Sequence, residues 1–215
     1  MQRIARFSLC AAGMLCLAAW AMYRLLDQRA ASWCAAHTLG LDSAWWFVVS
    51  KQLGKFWLQA CLVVGCSLLG GGKRVLLAGL IAIMLAGVTA DSVKVFARRT
   101  RPPEALGLKD QEVHGLLYSS SFPSADASTT FALAVAVGSL VSVPWRIAFF
   151  ALATGVSVGR VLTLHHYPSD VAAGAALGLV CGLGALIACE RLSRSPPKWL
   201  RFLAEASQGD QATGA

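Results

Sequence analysis

The chain has 215 residues, 56% of them hydrophobic and only 14% charged, with a formal net charge of +8 and a mean hydropathy of +0.59. A soluble domain carries about a quarter charged residues, so this composition excludes an ordinary water-soluble globular fold and indicates one integral membrane domain. The excess of positive charge follows membrane orientation, which leaves no reason to invoke nucleic acid as a partner.

Six apolar stretches follow in chain order, at roughly residues 6–26, 54–70, 75–97, 126–144, 146–165 and 171–189. Each is near the ~17–25 residues that a spanning helix needs. The expected fold is therefore all-α, a polytopic membrane protein built as a six-transmembrane-helix bundle. The second stretch is short, because Lys51 and Lys55 interrupt the apolar run that begins near Trp45. The first also admits a reading as a cleaved signal, since Ala19-Trp20-Ala21 resembles a small-residue cleavage site. Continuation of the apolar run through Leu25 and Leu26 favours a retained helix.

Residues 1–50 thus hold the first spanning helix and an outer loop. Residues 51–190 form the core, and 191–215 form a basic segment followed by a small, polar tail expected to be disordered. With both termini inside, the cytoplasmic segments carry Arg3, Arg6, Lys73, Arg74, Arg146, Arg191, Arg194, Lys198 and Arg201, against Arg24, Arg29, Lys51 and Lys55 outside. Leaving aside the cluster from Lys94 to Lys109, this bias predicts a cytoplasmic amino terminus. Trp45, Trp46 and Trp57 suit an interfacial aromatic belt. The seven cysteines, all but Cys34 within the apolar stretches, include no CxxC pair and read as small buried apolar residues.

Polar groups inside membrane spans are costly and mark function by default. Here they collect at the end of span three, the start of span four and the junction of spans five and six, which the six-span topology brings to one side. In "DSVKVFARRTRPP", Lys94, Arg98 and Arg101 sit at i, i+4 and i+7, within about 60° on one helical face. Pro102 and Pro103 predict the helix end near Thr100 to Arg101. Such a cation row suits either a phosphate clamp or snorkelling toward lipid headgroups. In "SFPSADAS", Pro123 fits a first helical turn capped by Ser121 or Ser124. Free amides of residues 124–126 and the Ser124 hydroxyl then offer an anion site, although any capped helix start looks alike. In "GRVLTLHHYPSDVAAG", Arg160 lies in an apolar helix, His165 and His166 close it, and Asp170 opens the next. A His beside a carboxylate can be held in one tautomer with its other nitrogen nucleophilic. No further His or Cys cluster supports a metal, so no metal or cofactor is expected. The three groups together point to phosphoryl transfer at a membrane surface.

These residues resemble the type 2 phosphatidic acid phosphatases, the lipid phosphate phosphatases that share a core with the vanadium haloperoxidases. That family is marked by KxxxxxxRP, PSGH and SRxxxxxHxxxD. The first stands complete from Lys94 to Arg101-Pro102. The third stands as Gly159-Arg160, five residues, His166, three residues, Asp170, and its spacing selects His166 over His165. The resemblance covers roughly residues 50–190. It implies that Lys94, Arg101 and Arg160 bind phosphate, with Ser124 and the Ala125 amide contributing. His166 is implied as the nucleophile that becomes a phosphohistidine, and Asp170 as its orienting partner. It further implies metal-independent hydrolysis of a lipid phosphate or diphosphate, in a bacterial inner (cytoplasmic) membrane, with the site facing the periplasm.

Two departures stand out. Gly159 replaces the third motif's Ser, and PSGH has become Pro123-Ser124-Ala125-Asp126, so Asp126 occupies the place of the family's general acid. Asp126 is either a protonated acid in its own right, or dispensable because the leaving group is already a phosphate, with His114 or His165 as substitutes. The alternative to an enzyme is a catalytically impaired relative that binds lipid phosphate as a sensor, scaffold or transporter. Phosphatidic acid, phosphatidylglycerol phosphate, undecaprenyl diphosphate and lipid A phosphate all fit the clamp, and nothing in the sequence reads on the oligomeric state.

Overall fold

The computed structural model describes residues 1–38, 45–108 and 120–194. Among them there is no strand. The helices are α1 (Gln2–Leu25), α2 (Asp27–His37), α3 (Trp45–Leu53), α4 (Phe56–Cys66), α5 (Gly72–Ala97), α6 (Pro102–Ala105), α7 (Ala125–Ala136), α8 (Val143–Leu162) and α9 (Pro168–Arg194). Their boundaries follow local chemistry. Gly70 (φ 118°) and Gly72 (φ 62°) take left-handed conformations that only glycine adopts at no steric cost. There the chain doubles back, so that Val63 of α4 lies against Gly79 of α5. Ser124 caps α7 by accepting from the Ala127 amide at 3.4 Å, and prolines open α8 and α9, where a missing N–H costs nothing.

All six apolar stretches are helical, but the count of membrane-length helices differs from the expectation. Among the described residues, four stretches are long and apolar enough to cross a bilayer: Gln2–Leu25, Phe56–Ala105 with its internal turn, Val143–Leu162 and Pro168–Arg194. α4 has 11 residues and α7 has 12, fewer than the ~20 that span hydrocarbon unaided. The glycine turn shortens α4, and α7 stops at Ala136 rather than continuing to residue 144. The outer segment also contributes the helices α2 and α3, which its mixed composition did not announce. Cys34, Cys181 and Cys189 are buried as expected, whereas Cys10, Cys16 and Cys61 face outward.

α9 is the central helix, packed against α1, α5 and α7. Its face toward α7 is a glycine row, Gly174, Gly178 and Gly182, one turn apart. A Cβ at these positions would stand 2.5, 2.4 and 2.6 Å from the carbonyl oxygens of Ser124, Ser128 and Ala132. In lipid, where there is little hydrophobic drive between helices, such close backbone approach supplies the packing. It also sets the depth of α7, whose first turn carries Ser124, Ala125 and Asp126. Gly178→Ala is therefore expected to separate α7 from α9, at about 1–3 kcal/mol. A melting temperature in detergent unchanged from the wild type would refute this role for the row.

Candidate functional site

A cavity of about 1030 Å³ opens where α5 ends, α7 begins and α8 ends. Lys94, Arg101, Ala125, Asp126, Arg160, His165 and His166 line it, facing Lys51, Gly54 and Lys55 before α4 and an apolar wall that includes Trp57, Met84 and Val88. Of the expected site residues, Ser124 and Asp170 are not in the lining. Both are fully buried behind it.

The cation row differs from the single helical face read from sequence. α5 ends at Ala97, and Arg98 caps it in the left-handed conformation (φ 44°). Arg98 turns back so that its Nε donates to the Val95 carbonyl at 3.2 Å, outside the cavity. Lys94 remains on the last turn of α5, and Arg101 arrives from the extended residue before Pro102. Lys94 Nζ pairs with Asp91 at 2.9 Å. Arg101 donates to the carbonyl of His165 at 3.1 Å. Arg160 Nη2 lies 2.5 Å from Asp126 Oδ2 and 3.3 Å from the Lys51 carbonyl. Arg160 Nε is buried with no hydrogen-bond partner among the described residues, which is costly for a donor.

The α7 start also differs in detail. The Ser124 amide is not free, because it donates to the Asp170 carbonyl at 3.0 Å. The Ser124 hydroxyl serves as the helix cap. That leaves Ala125 and Asp126 as the residues of this turn that reach the cavity.

His166 Nδ1 lies 2.7 Å from the Ser121 carbonyl. A carbonyl only accepts, so Nδ1 carries the proton and Nε2 keeps its lone pair. Asp170, expected to hold this ring, is 3.8 Å away, beyond hydrogen-bond reach, and acts on it through charge. Its carboxylate is engaged elsewhere, accepting from the Tyr167 amide at 2.8 Å and from Arg99 Nη1 at 2.5 Å.

Arg99 is the residue that sequence reasoning passed over. One side of its guanidinium meets Asp170 and the Ser169 hydroxyl at 2.7 Å, and the other meets Asp27 at 2.6 Å. Its plane stacks on Tyr167, 4.1 Å from the ring centroid. Asp27, at the start of α2, also accepts from the Ser169 amide at 3.0 Å and its hydroxyl at 2.5 Å. Backbone bonds extend this network to the α7 approach, with the Ser121 amide donating to the Arg99 carbonyl at 2.8 Å. An acid one residue beyond an apolar stretch was the available signal for Asp27. Gln59 was another, a lone amide in an apolar run. It donates to Thr129 and to the Gly54 carbonyl, both at 3.0 Å. Gly54 is thereby held against the Arg160–Asp126 pair, where a Cβ would come within 2.8 Å of the Asp126 carboxyl carbon. His114 lies outside the described residues.

Burial pushes the His166 imidazole below its usual range, with the Asp170 charge opposing. Burial and then the Arg160 charge push His165 down to about 4. Both rings are neutral at neutral pH.

A helical membrane bundle that gathers Lys94, Arg101, Arg160 and a neutral, tautomer-fixed His166 on one cavity defines the class: a polytopic membrane protein with a cationic, histidine-lined cavity. The profile of the PAP2 superfamily matches residues 74–194, more than half of the chain, and the protein belongs to that superfamily. It is 33% identical over 126 residues to the decaprenylphosphoryl-5-phosphoribose phosphatase of two Mycobacterium tuberculosis strains, covering 59% of this chain and 67% of the relative. Among solved structures it is similar to Aquifex aeolicus LpxE, with a TM-score of 0.56 and 27% identity, over 66% of this chain and 83% of that one.

Two predictions follow from this geometry. Asp27→Ala leaves Arg99 paired with Asp170 alone and the buried Ser169 amide without its acceptor. Leaving a buried donor unsatisfied costs about 1–3 kcal/mol, to be measured as a lower melting temperature in detergent. The lowered His165 pKa means that the unfolded chain binds more protons than the folded one between the ordinary value near 6.5 and about 4. Stability is thus fully present above about pH 6.5 and falls as the pH drops toward 4. His165→Gln is expected to flatten that fall in melting curves recorded across pH.

Proposed function

We propose that the protein is a membrane lipid phosphate phosphatase acting through a phosphohistidine. The observation that carries the reading is the convergence of Lys94, Arg101, Arg160 and His166 on one cavity. The phosphatase relatives support a lipid phosphate as the substrate. The decaprenyl chain in one relative's name makes an isoprenoid lipid phosphate the first class to test. The fold-back at Gly70–Gly72 is compatible with a six-crossing bundle. We place it in a bacterial inner membrane with the cavity at the periplasmic face, consistent with the distribution of Lys and Arg.

In this reading Lys94, Arg101 and Arg160 hold the phosphoryl oxygens, with the Ala125 amide at the α7 start as a further donor. Ser124 contributes by capping α7, and Asp170 by holding the chain around His166. Nε2 of His166 attacks phosphorus, and the bond to the lipid oxygen breaks. The leaving oxygen takes a proton, and water then releases inorganic phosphate from the phosphohistidine. Asp126 is the proton source for a lipid alkoxide. A phosphate entering the clamp competes with the Asp126 carboxylate for Arg160.

Phosphate release from phosphatidic acid, decaprenyl monophosphate and undecaprenyl diphosphate, followed across pH, tests this. His166→Ala is expected to abolish release from all three, together with acid-labile labelling of the wild type by radioactive phosphate. Asp126→Asn is expected to slow monoester cleavage by ~10²–10⁴-fold, and diphosphate cleavage much less, because phosphate is already a good leaving group. Absence of release by the wild type from every lipid would sink the enzyme. Equal monoester rates in Asp126→Asn would assign the proton to another group.

A further inference from the structure

A second cavity, of about 630 Å³, lies at the opposite end of the bundle, between α1, the end of α7 and the start of α8. We propose that it is a site for an anionic phospholipid of the surrounding membrane. Arg3 and Arg146 stand on its lining with no acidic side chain among the other lining residues, so among the described residues its lining is net positive. Arg146 spends one donor, Nε, on the Gly138 carbonyl at 2.8 Å, which fixes the stem of its guanidinium. Below the two arginines the wall is apolar, with Phe7, Ile147 and Phe150. Phe7 and Ile147 are well exposed on the bundle surface, facing where acyl chains lie.

The second observation is Ser8. It lines the cavity, is 1% exposed, and its hydroxyl has no hydrogen-bond partner among the described residues. A buried hydroxyl without a partner is costly and needs an explanation. Ser8 follows Arg3 by five residues on α1, a rise of ~7.5 Å. This places a donor one glycerol backbone below a phosphate-binding pair. A diacyl phospholipid has matching groups in that order: a phosphate for Arg3 and Arg146, an ester carbonyl for the Ser8 hydroxyl, and a hydrocarbon chain for the apolar wall. A net anionic headgroup complements the two arginines, whereas a zwitterionic one brings a positive group that they repel.

The test uses the whole protein, delipidated in a neutral detergent and titrated with phosphatidylglycerol or phosphatidylcholine, read by native mass spectrometry and by melting temperature. Retention of phosphatidylglycerol and a rise in melting temperature that phosphatidylcholine does not produce are expected. Arg3→Gln should weaken retention roughly tenfold, as loss of a charge-assisted contact does. Arg146 also ties α8 to the end of α7, so Ala151→Trp provides the independent variant. It leaves both arginines in place and fills the groove, and it should abolish retention while leaving phosphate release at the distant cavity unchanged. Ser8→Ala gives a split result on this proposal. It should raise the melting temperature without lipid, by removing an unsatisfied buried group, and shrink the increment that phosphatidylglycerol adds. Equal effects of the two lipids, retention unaffected by Arg3→Gln and Ala151→Trp, or a second protein copy in place of lipid would each overturn the proposal. These outcomes are independent of whether the cavity at the other end cleaves phosphate.

Discussion

The arrangement rests on one guanidinium. Arg99 joins two carboxylates from distant parts of the chain, Asp27 at the start of α2 and Asp170 at the start of α9, both virtually inaccessible to solvent. Two buried acids so placed repel each other and are poorly solvated, and only a shared, delocalised cation in a planar fork satisfies both. Lysine, a compact point charge, could not meet both acids and stack on Tyr167 at once. Because Arg99 lies between Lys94 and Arg101, the same contact fixes the segment that delivers Arg101 to the cavity. Its carbonyl receives the Ser121 amide, and the Ser121 carbonyl in turn faces His166 Nδ1. The histidine's tautomer is thus set through the backbone, at the end of a chain of bonds that starts from Arg99.

This changes how the His–Asp pair is understood. A direct bond from Asp170 to His166 would make the carboxylate the ring's positioning group. Instead Asp170 anchors Arg99 and the Tyr167 amide, and its influence on the ring is electrostatic. The amino-terminal helices matter for the same reason. They lie outside the residues that match the superfamily profile, yet Asp27 gives α2 a structural part in the site.

Spacing made much of the site legible. Lys94, Arg101, Arg160 and His166 are each placed by a fixed count along the chain, and all four line one cavity. The helical-face reading of Arg98 failed because helix periodicity holds only while the helix lasts, and a left-handed cap at Arg98 rotates the side chain away. Asp27 and Arg99 were illegible for a different reason. Their contact spans 72 positions, and no local period encodes a pairing at that range. The glycine row of α9 was present as Gly174, Gly178 and Gly182, but glycine spacing predicts close approach without saying which helix approaches. The six apolar stretches were all found as helices. The gap between the stretches at 54–70 and 75–97 matches the turn at Gly70–Gly72, but hydropathy reports apolar length and not where a helix stops, so the end of α7 at Ala136 was missed.

Asp126 becomes intelligible once the acids of the cavity are compared. Lys94 and Arg160 have side chains 10% exposed, whereas their partners Asp91 and Asp126 are 50% and 25% exposed. In each pair the cation is held by the protein and the acid is nearer to water. The solvated acid is the easier partner to release, since its carboxylate regains hydration on leaving. On the proposed reading, a lipid phosphate entering the cavity would meet cations whose present partners can be displaced, and until then each cation is paired rather than bare. Gly54 is part of this arrangement, because any larger residue would occupy the space that the Asp126 carboxylate uses beside Arg160. If the proposed function holds, an aspartate at the start of α7 is no defect, because its pairing with Arg160 holds the place of the anion until the substrate comes.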